Sequence, residues 1–255
     1  MNSFHPDSDC VQHITSFFRK PVYSWKLRLK AFSLSLIKSA MQNKLPEGIR
    51  NIIFDLGGVL LDLDFTVPVR QFEKLGKNSA GFDYRHAIQD PIFKAFETGK
   101  ATPDEFRRRI REILGNPLVS DPQIDEAWCS MLDNIPVEKI SLLQKLAAGY
   151  RLFLFSNTNV IHISFFLERF KKTHGFDLES LFEQSFYSHV IGDRKPLFSS
   201  FRKVLTLGNM NKEETLFIDD FEENVKAAAE FGLKVIHYIP GTDLSACFYE
   251  NSPKG

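Results

Sequence analysis

Short apolar runs alternate with segments of helical periodicity over most of the chain, and this pattern predicts the fold. Each run ends at turn or polar residues, which is typical of a strand buried on both faces. Strands that alternate with helices form right-handed crossovers and a parallel sheet. We therefore predict an α/β fold with a Rossmann-like, three-layer parallel sheet. The predicted strands are 52–54, 151–155, 184–187, 215–218 and 234–237, and the intervening helices are 137–148, 161–170, 199–205 and 223–231.

Residues 66–135 depart from this alternation, because no strand-like run interrupts them. Thr102, Pro103 and Glu105 form a capping box with proline at the first helical position, which marks a helix start. We predict a small all-helical cap domain over the carboxyl edge of the sheet. Its helices are 67–75, 85–96, 106–114 and 122–132; the core domain is then 49–65 with 136–255, and 1–48 is an N-terminal extension.

A pair of glycines follows the first predicted strand. Asp55 ends the apolar run, and Gly57 and Gly58 let the backbone turn sharply and approach a ligand closely. Open α/β sheets bind their ligands at the carboxyl ends of the strands, so Asp55 is a candidate site residue. Taken alone, an ordinary turn at the end of a strand explains this stretch equally well.

Polar residues also follow three other predicted strands. They are Ser156 and Asn157 after the second strand, Lys195 in the loop after the third, and Asp219 and Asp220 after the fourth. Taken singly, they are typical of a helix cap, a solvated loop lysine and a turn. All of them map to the same edge of one sheet as the aspartate after the first strand, and this joint placement favours a functional site.

Phosphoryl transfer is the chemistry that these residues suit. A carboxylate such as Asp55 can attack phosphorus and form an aspartyl-phosphate. The Ser156 hydroxyl and the Lys195 ammonium can stabilise charge on the phosphoryl oxygens. Asp55 and Asp220 come from different strands and offer the oxygen ligands that Mg²⁺ takes beside phosphate and water. Such a metal also lets an anionic nucleophile approach an anionic substrate.

These motifs, in this order and spacing, resemble the haloacid dehalogenase (HAD) superfamily of phosphatases over about residues 50–240. The helical insertion is similar to the C1-type cap of that superfamily. The stretches FDLGGVLLDLD, FLFSNTN, GDRKP and FIDDFEEN are most similar to its bacterial α-D-glucose-1-phosphate phosphatase branch. The resemblance implies a HAD-like core, a Mg²⁺ cofactor and a small phosphorylated substrate.

The resemblance also implies a role for each motif residue. Asp55 would be the nucleophile, Ser156 and Lys195 would take part in catalysis, and Ser156, Asn157 and Lys195 would bind the substrate. The metal would be held by Asp55, the backbone carbonyl of Gly57 and Asp220, with Asp219 in support through water or a hydrogen bond.

One position departs from the pattern of the superfamily. Most of its phosphatases have a second aspartate two residues after the nucleophile, as general acid and base, and here that residue is Gly57. General acid–base catalysis is typically worth about 10²–10⁴-fold. The glucose-1-phosphate branch resembles this chain in having glycine there. Asp62 and Asp64 lie too far along the turn to be assigned this role, so the proton must come from water, the substrate or another residue.

Three functional hypotheses follow. The leading one is a Mg²⁺-dependent phosphomonoesterase that acts on a small phosphorylated metabolite such as a sugar phosphate. Gly57 motivates an alternative, a catalytically weak module that binds a phosphorylated ligand or a protein. Dehalogenation of a 2-haloacid is less favoured, since Lys195 and Asp220 suit a site for metal and phosphate.

The cap is expected to set substrate specificity, because it covers the site and excludes water. The candidates within it are Arg85, Phe93, Phe96 and Glu97. Each is also typical of an ordinary core or solvated residue of a helix.

Composition and charge restrict the partners. The formal net charge of zero gives no support for nucleic-acid binding. The cysteines, Cys10, Cys129 and Cys247, are scattered and predict neither disulfides nor a zinc site, which fits a reducing cytoplasm. No apolar run approaches the length of a membrane span.

Residues 1–49 are basic, with seven Lys or Arg against three Asp or Glu. Three interpretations of this extension compete: a helix that contacts a membrane surface through residues 11–44, a targeting peptide, and a peripheral segment without a part in the chemistry. We favour the last. Met41, shortly before the first strand, is a candidate second start of translation.

Overall fold

The computed structural model describes residues 45–76 and 89–249 of the 255-residue chain. Its centre is a five-stranded, wholly parallel sheet with strand order β3-β2-β1-β4-β5. The strands are β1 (Asn51–Phe54), β2 (Arg151–Ser156), β3 (Gln184–Tyr187), β4 (Thr215–Asp219) and β5 (Lys234–His237). The α/β prediction is therefore confirmed. Ser156 and Asp219 are the last residues of β2 and β4 instead of the first residues after them.

Within the described residues, four helices lie between β1 and the helix that leads the chain back to β2. They are α1 (Thr66–Leu75), α2 (Pro91–Glu97), α3 (Pro103–Ile113) and α4 (Asp121–Cys129). The predicted capping box is present at the start of α3, where the Thr102 and Glu105 side chains each bond the other's backbone N–H. We refer to this helical segment as the cap; its predicted limits at 66 and 135 stay predictions.

All four described helices of the cap differ from their predicted bounds: α1 starts at Thr66 instead of 67, and α3 is Pro103–Ile113 instead of 106–114. The helix predicted at 85–96 starts at Pro91 in the described part of the chain, where Asp90 caps it by accepting from Ile92 N; residues 85–88 lie outside the described residues. The helix predicted at 122–132 ends at Cys129, because Leu132 instead pairs with Leu63 in an antiparallel bridge.

Aromatic rings form the core of the cap. Phe96 stacks on Phe106 with ring centroids 4.5 Å apart, and Trp128 lies 5.3 Å from Phe93. Ile161, which follows β2, packs into the same cluster. The cap therefore shares part of its hydrophobic core with the segment that directly follows the predicted Ser156–Asn157 motif.

The other helices pack on the two faces of the sheet. They are α5 (Val137–Leu146), α6 (Val160–His174), the short α7 (Ser188–Ile191), α8 (Phe198–Leu207) and α9 (Glu222–Phe231). In the part of the chain that the structure describes, 3₁₀ turns that the pattern did not predict lie at Leu178–Leu181, Lys212–Glu214 and Leu244–Cys247.

Alternation along the central strands separates the two cores. Ile52 and Phe54 of β1 face one hydrophobic cluster with residues of α5 and α6. Ile53, between them, faces the other cluster with residues of α8 and α9. Both faces are therefore covered, as expected for a parallel sheet, and the carboxyl edge is left to carry the polar residues.

Helix α6 is longer than the predicted 161–170. Asn159 caps its start by accepting from His162 N, and Gly175, with φ of +78°, ends it. Its last turn carries Lys171, Lys172 and His174. These residues continue no apolar periodicity, so the pattern did not predict this turn. Basic side chains are nevertheless stabilising at the C-terminal, negative end of the helix dipole.

Within the described ranges, no helix combines the length and apolar character of a membrane span. The predicted basic extension lies outside the described residues up to position 44. The interpretations of residues 11–44 and of Met41 stay predictions.

Candidate active site

Three aspartates meet at the carboxyl edge of the sheet. Asp55 directly follows β1, Asp219 ends β4, and Asp220 comes next. One carboxylate oxygen from each lies within 4.8 Å of the others. This proximity follows from the pairing of β1 with β4, in which Phe54 lies beside Ile218. The topology therefore concentrates negative charge at one point of the edge.

Lys195 lies at the centre of this cluster, in the loop after α7. Its side chain is 1% exposed, and its ammonium donates to Asp55 Oδ1 at 2.7 Å, Asp219 Oδ2 at 2.6 Å and Phe155 O at 3.1 Å. An ammonium has three donors, and all three are engaged. The contact that the structure shows is thus with carboxylates, whereas the sequence predicted contact with a phosphoryl group.

Asp219 is completely buried and anchored on both oxygens. Oδ1 accepts from Phe221 N at 2.8 Å and from Asn224 Nδ2 at 3.0 Å, and Oδ2 accepts from Lys195. Asn224 comes from the first turn of α9 and was missed as a site residue, although it ends the motif FIDDFEEN. These bonds leave Asp219 as a support for its neighbours.

Burial and mutual repulsion raise the pKa values of the other two aspartates. Burial raises the pKa of Asp55 to about 7; Lys195 opposes this shift, and Asp219 and Asp220 add to it. Burial also raises the pKa of Asp220, with repulsion from Asp219. The pKa of Lys195 is raised although its burial favours the neutral form, because the two carboxylates beside it outweigh that effect. One buried ammonium thus faces three carboxylates, and the cluster favours a further cation.

The donor set fits Mg²⁺, which takes oxygen ligands from one or two carboxylates together with phosphate and water. Asp55 and Asp220 would hold the ion, since Asp219 is already bonded on both oxygens. Gly58 makes room for this arrangement: its φ is +77°, and a β-carbon there would lie 2.1 Å from Asp220 Oδ2. The predicted contribution of the Gly57 carbonyl stays a prediction.

An apolar side chain fills the space beside Gly57. A β-carbon on Gly57 would lie 2.7 Å from Leu63 Cδ1, so Leu63 occupies the place where a longer side chain would start. The Asp62 carboxylate is 3.5 Å from Lys139, and Asp64 accepts from Thr66 N at 2.9 Å at the start of α1. The hydrogen bonds from Thr66 lower the pKa of Asp64. These contacts give neither aspartate a role in proton transfer.

Asn157 holds the loop that carries Lys195. Its amide nitrogen donates to Lys195 O, and its amide oxygen accepts from Lys195 N, both at 3.0 Å. This is a positioning contact, and its predicted contact with substrate stays a prediction. Ser156 is 4% exposed and is paired in register with Tyr187 of β3, which places it at the same edge.

Only part of the predicted specificity set faces the core domain. Phe93 and Phe96 are buried in the core of the cap, and Arg85 lies outside the described residues. Glu97 instead points to the loop after α7, where its Oε2 lies 3.2 Å from an Arg194 nitrogen. Arg194 was not singled out from the sequence, although it precedes Lys195 in the stretch GDRKP.

Comparison with known proteins links this geometry to one family. Residues 49–232 match the family model described as a haloacid dehalogenase-like hydrolase. A D-ribitol-5-phosphate phosphatase of Bacteroides thetaiotaomicron is 29% identical over 195 residues, which are 76% of this chain and 94% of the relative. A sesquiterpene phosphatase of Aspergillus oryzae is 28% identical over 72% of this chain and 87% of its own length.

A solved structure agrees with this assignment. It is a HAD family enzyme of Bacteroides thetaiotaomicron in complex with magnesium and inorganic phosphate, 39% identical to this chain. The match has a TM-score of 0.72 and covers 78% of this chain and 98% of the other.

Proposed function

Because the chain belongs to the haloacid dehalogenase-like hydrolases, we propose that it is a Mg²⁺-dependent phosphatase. Its substrate is the phosphomonoester of a small metabolite, a sugar or polyol phosphate. The observation that carries this proposal is the cluster of Asp55, Asp219 and Asp220 around the buried ammonium of Lys195. The ribitol-phosphate phosphatase and the magnesium–phosphate complex among its relatives support the substrate class and the metal.

Asp55 is the nucleophile in this proposal. Its carboxylate forms a bond to phosphorus while the bond from phosphorus to the ester oxygen breaks, which leaves an aspartyl-phosphate and an alcohol. Water then attacks the same phosphorus, and Asp55 is regenerated as phosphate leaves. Gly57 carries no acid and Leu63 fills the space beside it, so the departing oxygen takes its proton from water or from the substrate.

The other residues hold the nucleophile and balance its charge. Lys195 orients Asp55 through Oδ1 and also bonds the Asp219 carboxylate beside it. Asp55 and Asp220 would hold Mg²⁺, which would supply charge screening between the phosphoryl oxygens and the attacking carboxylate. Burial raises the pKa of Asp55 to about 7, and a bound cation would oppose this shift because it stabilises the carboxylate. Ser156, at the end of β2, binds a phosphoryl oxygen.

The test is phosphate release from a panel of sugar, polyol and nucleoside phosphates, with Mg²⁺ and with chelator. Asp55→Asn removes the nucleophile but keeps the shape of the side chain, so we expect turnover to be abolished. Asp62→Asn is the matched control, because Asp62 is a half-exposed carboxylate on the same segment that contacts Lys139. Full activity of Asp55→Asn would reject Asp55 as the nucleophile.

The apolar filling beside Gly57 favours a second candidate, a module that binds a phosphorylated ligand without efficient turnover. The same panel separates the two functions. Turnover by the wild-type protein supports the phosphatase. Stabilisation against heat by a ligand of the panel, without phosphate release, supports the binding module.

A further inference from the structure

We propose that Glu97 and Arg194 form a subsite for hydroxyl groups on the leaving group of the substrate. This subsite would make the protein prefer polyol or sugar phosphates to phosphate esters of apolar alcohols. The inference rests on the proposed phosphatase function and deepens it, since it assigns specificity to two named side chains.

The pair joins the cap to the loop that carries Lys195. Glu97 is the last residue of α2, and Arg194 directly precedes Lys195, with 3.2 Å between Glu97 Oε2 and the Arg194 nitrogen. The two segments approach closely nearby, because a β-carbon on Gly99 would lie 2.3 Å from the His189 carbonyl oxygen. The pair thus lies where the cap contacts the loops at the carboxyl edge of the sheet.

Arg194 is held at a set place relative to the nucleophile. Its backbone N–H donates to Asp193 Oδ1 at 2.9 Å, and the next residue is fixed by Asn157 on its backbone and by Asp55 on its side chain. Arg194 is therefore adjacent in sequence to the residue that contacts the nucleophile. A substrate whose phosphoryl group lies at Asp55 would extend its leaving group towards the cap, and the pair lies on that side.

The pair retains hydrogen-bonding capacity. The Arg194 side chain is 31% exposed and that of Glu97 27% exposed, so both are accessible in part. The Arg194 Nε is buried and has no hydrogen-bond partner among residues 45–76 and 89–249. Burial raises the pKa of Glu97, and Arg194 opposes that shift. Both groups would gain from a polar partner that enters between the cap and the core.

A hydroxyl is the partner that suits both side chains. It accepts from a guanidinium N–H and donates to a carboxylate, so a single group satisfies both. An alkyl chain in the same place would displace water from two charged groups and return no hydrogen bond, which is costly. The pair therefore discriminates by hydroxylation and not by the size of the leaving group.

Two substrates of equal carbon number test the proposal: a pentitol 5-phosphate, which has hydroxyls on its other carbons, and n-pentyl phosphate, which has none. We expect Glu97→Gln and Arg194→Gln each to lower kcat/KM for the pentitol phosphate by about 10- to 100-fold, as expected for a lost hydrogen bond to a charged group. For n-pentyl phosphate we expect a change within about 3-fold, smaller than one neutral hydrogen bond is worth. Retained turnover of n-pentyl phosphate also shows that the variants fold.

The matched control is Arg109→Gln. Arg109 pairs with Asp90 and Glu112 within the cap, and breaking these surface pairs should leave kcat/KM for both substrates unchanged. An equal fall for both substrates in the Glu97 and Arg194 variants would show that the pair only positions Lys195, and no fall for either would show that it contacts no substrate. Either result would overturn the subsite but would leave the proposed phosphatase function standing. Absence of Mg²⁺-dependent turnover in the wild-type protein would reject the phosphatase function, and the subsite with it.

Discussion

Gly58 lies directly against Asp220: a β-carbon on Gly58 would be 2.1 Å from the Asp220 Oδ2 atom. The turn after β1 and the end of β4 thus touch through a backbone and a carboxylate. The φ of +77° at Gly58 is also one that side-chain-bearing residues rarely adopt. The position of the Asp220 carboxylate therefore depends on the absence of a side chain at Gly58.

Gly58→Ala should weaken Mg²⁺ binding by at least about 10-fold, as expected when the surroundings of a metal ligand are disturbed. The added carbon must displace Asp220 or the turn. Calorimetric titration with Mg²⁺ measures the change directly. Gly175→Ala is the control, because Gly175 has nearly the same φ, +78°, and nothing lies within 4 Å of a β-carbon there. It should lose about 1–2 kcal/mol of stability from backbone strain but keep its affinity for Mg²⁺. Equal loss of affinity in both variants would contradict the role of the contact.

Lys195→Met should destabilise the metal-free protein by about 3–5 kcal/mol, because it leaves two buried carboxylates without their ammonium. Urea unfolding in the presence of chelator measures this loss. Lys203→Met, at a lysine whose side chain is 48% exposed, should change the free energy of unfolding by less than about 1 kcal/mol.

A second variant tests whether unpaired charge or lost packing causes the loss of stability in Lys195→Met. If unpaired charge causes the loss, adding Asp55→Asn to Lys195→Met should restore part of the stability, since one buried carboxylate is then neutral. A double variant no more stable than Lys195→Met would mean that the lost packing of the ammonium, which lies 5.2 Å from the Phe155 ring and 5.4 Å from the Phe217 ring, dominates instead.

His162 should make the protein less stable as the pH falls from about 6.5 to 4. The ring is buried against Trp128, and its Nε2 lies 3.1 Å from the Trp128 carbonyl oxygen. The neutral ring therefore donates a hydrogen bond from Nε2–H to this oxygen. Burial lowers the pKa of His162 from 6.5 to about 4. Within this window the unfolded chain takes up a proton that the folded chain does not, so protonation favours unfolding. The contribution is on the order of 3 kcal/mol, fully present above pH 6.5 and lost as the pH falls to 4.

Urea unfolding at pH 7.5, 5.5 and 4.5 checks this. His162→Phe should be less stable at pH 7.5, by about 1 kcal/mol for the lost hydrogen bond, but should lose less stability than the wild type on acidification. Part of the pH dependence of stability should remain in the variant, because burial lowers the pKa of His189 as well. Identical pH dependence in the variant and the wild type would show that His162 does not carry the effect.

A chain that starts at Met41 should fold and keep its Mg²⁺-dependent activity. β1 begins at Asn51, and all predicted site residues lie after it. Leu45 and Ile49 pack against the core and are kept in this truncation. The melting temperature and phosphate release of the shortened protein are the measurements. An insoluble or inactive product would place part of residues 1–40 in the core or the site.

Local pattern and topology were enough to predict the fold and the edge at which the polar residues collect. The apolar runs of β1 and β4 end at Asp55 and Asp219, and parallel strands put their carboxyl ends at one edge whatever the details of packing. The capping box of α3 could also be predicted from the sequence, because its two residues are three positions apart and interact within one helical turn. The end of α4 could not be predicted in this way, because a bridge between Leu63 and Leu132 decides where the helix stops.

The partners of the site residues were decided by tertiary structure alone. Lys195 and Asp55 are 140 residues apart, and Asn157 holds the backbone of Lys195 from 38 residues away. No periodicity encodes such a pairing, because it depends on how loops from separate strands fold over the edge. The same holds for Leu63 beside Gly57 and for Glu97 at Arg194. The order and type of the residues thus determined which chemistry was possible, and packing across the edge determined which atom of each residue is engaged and which is left for a ligand.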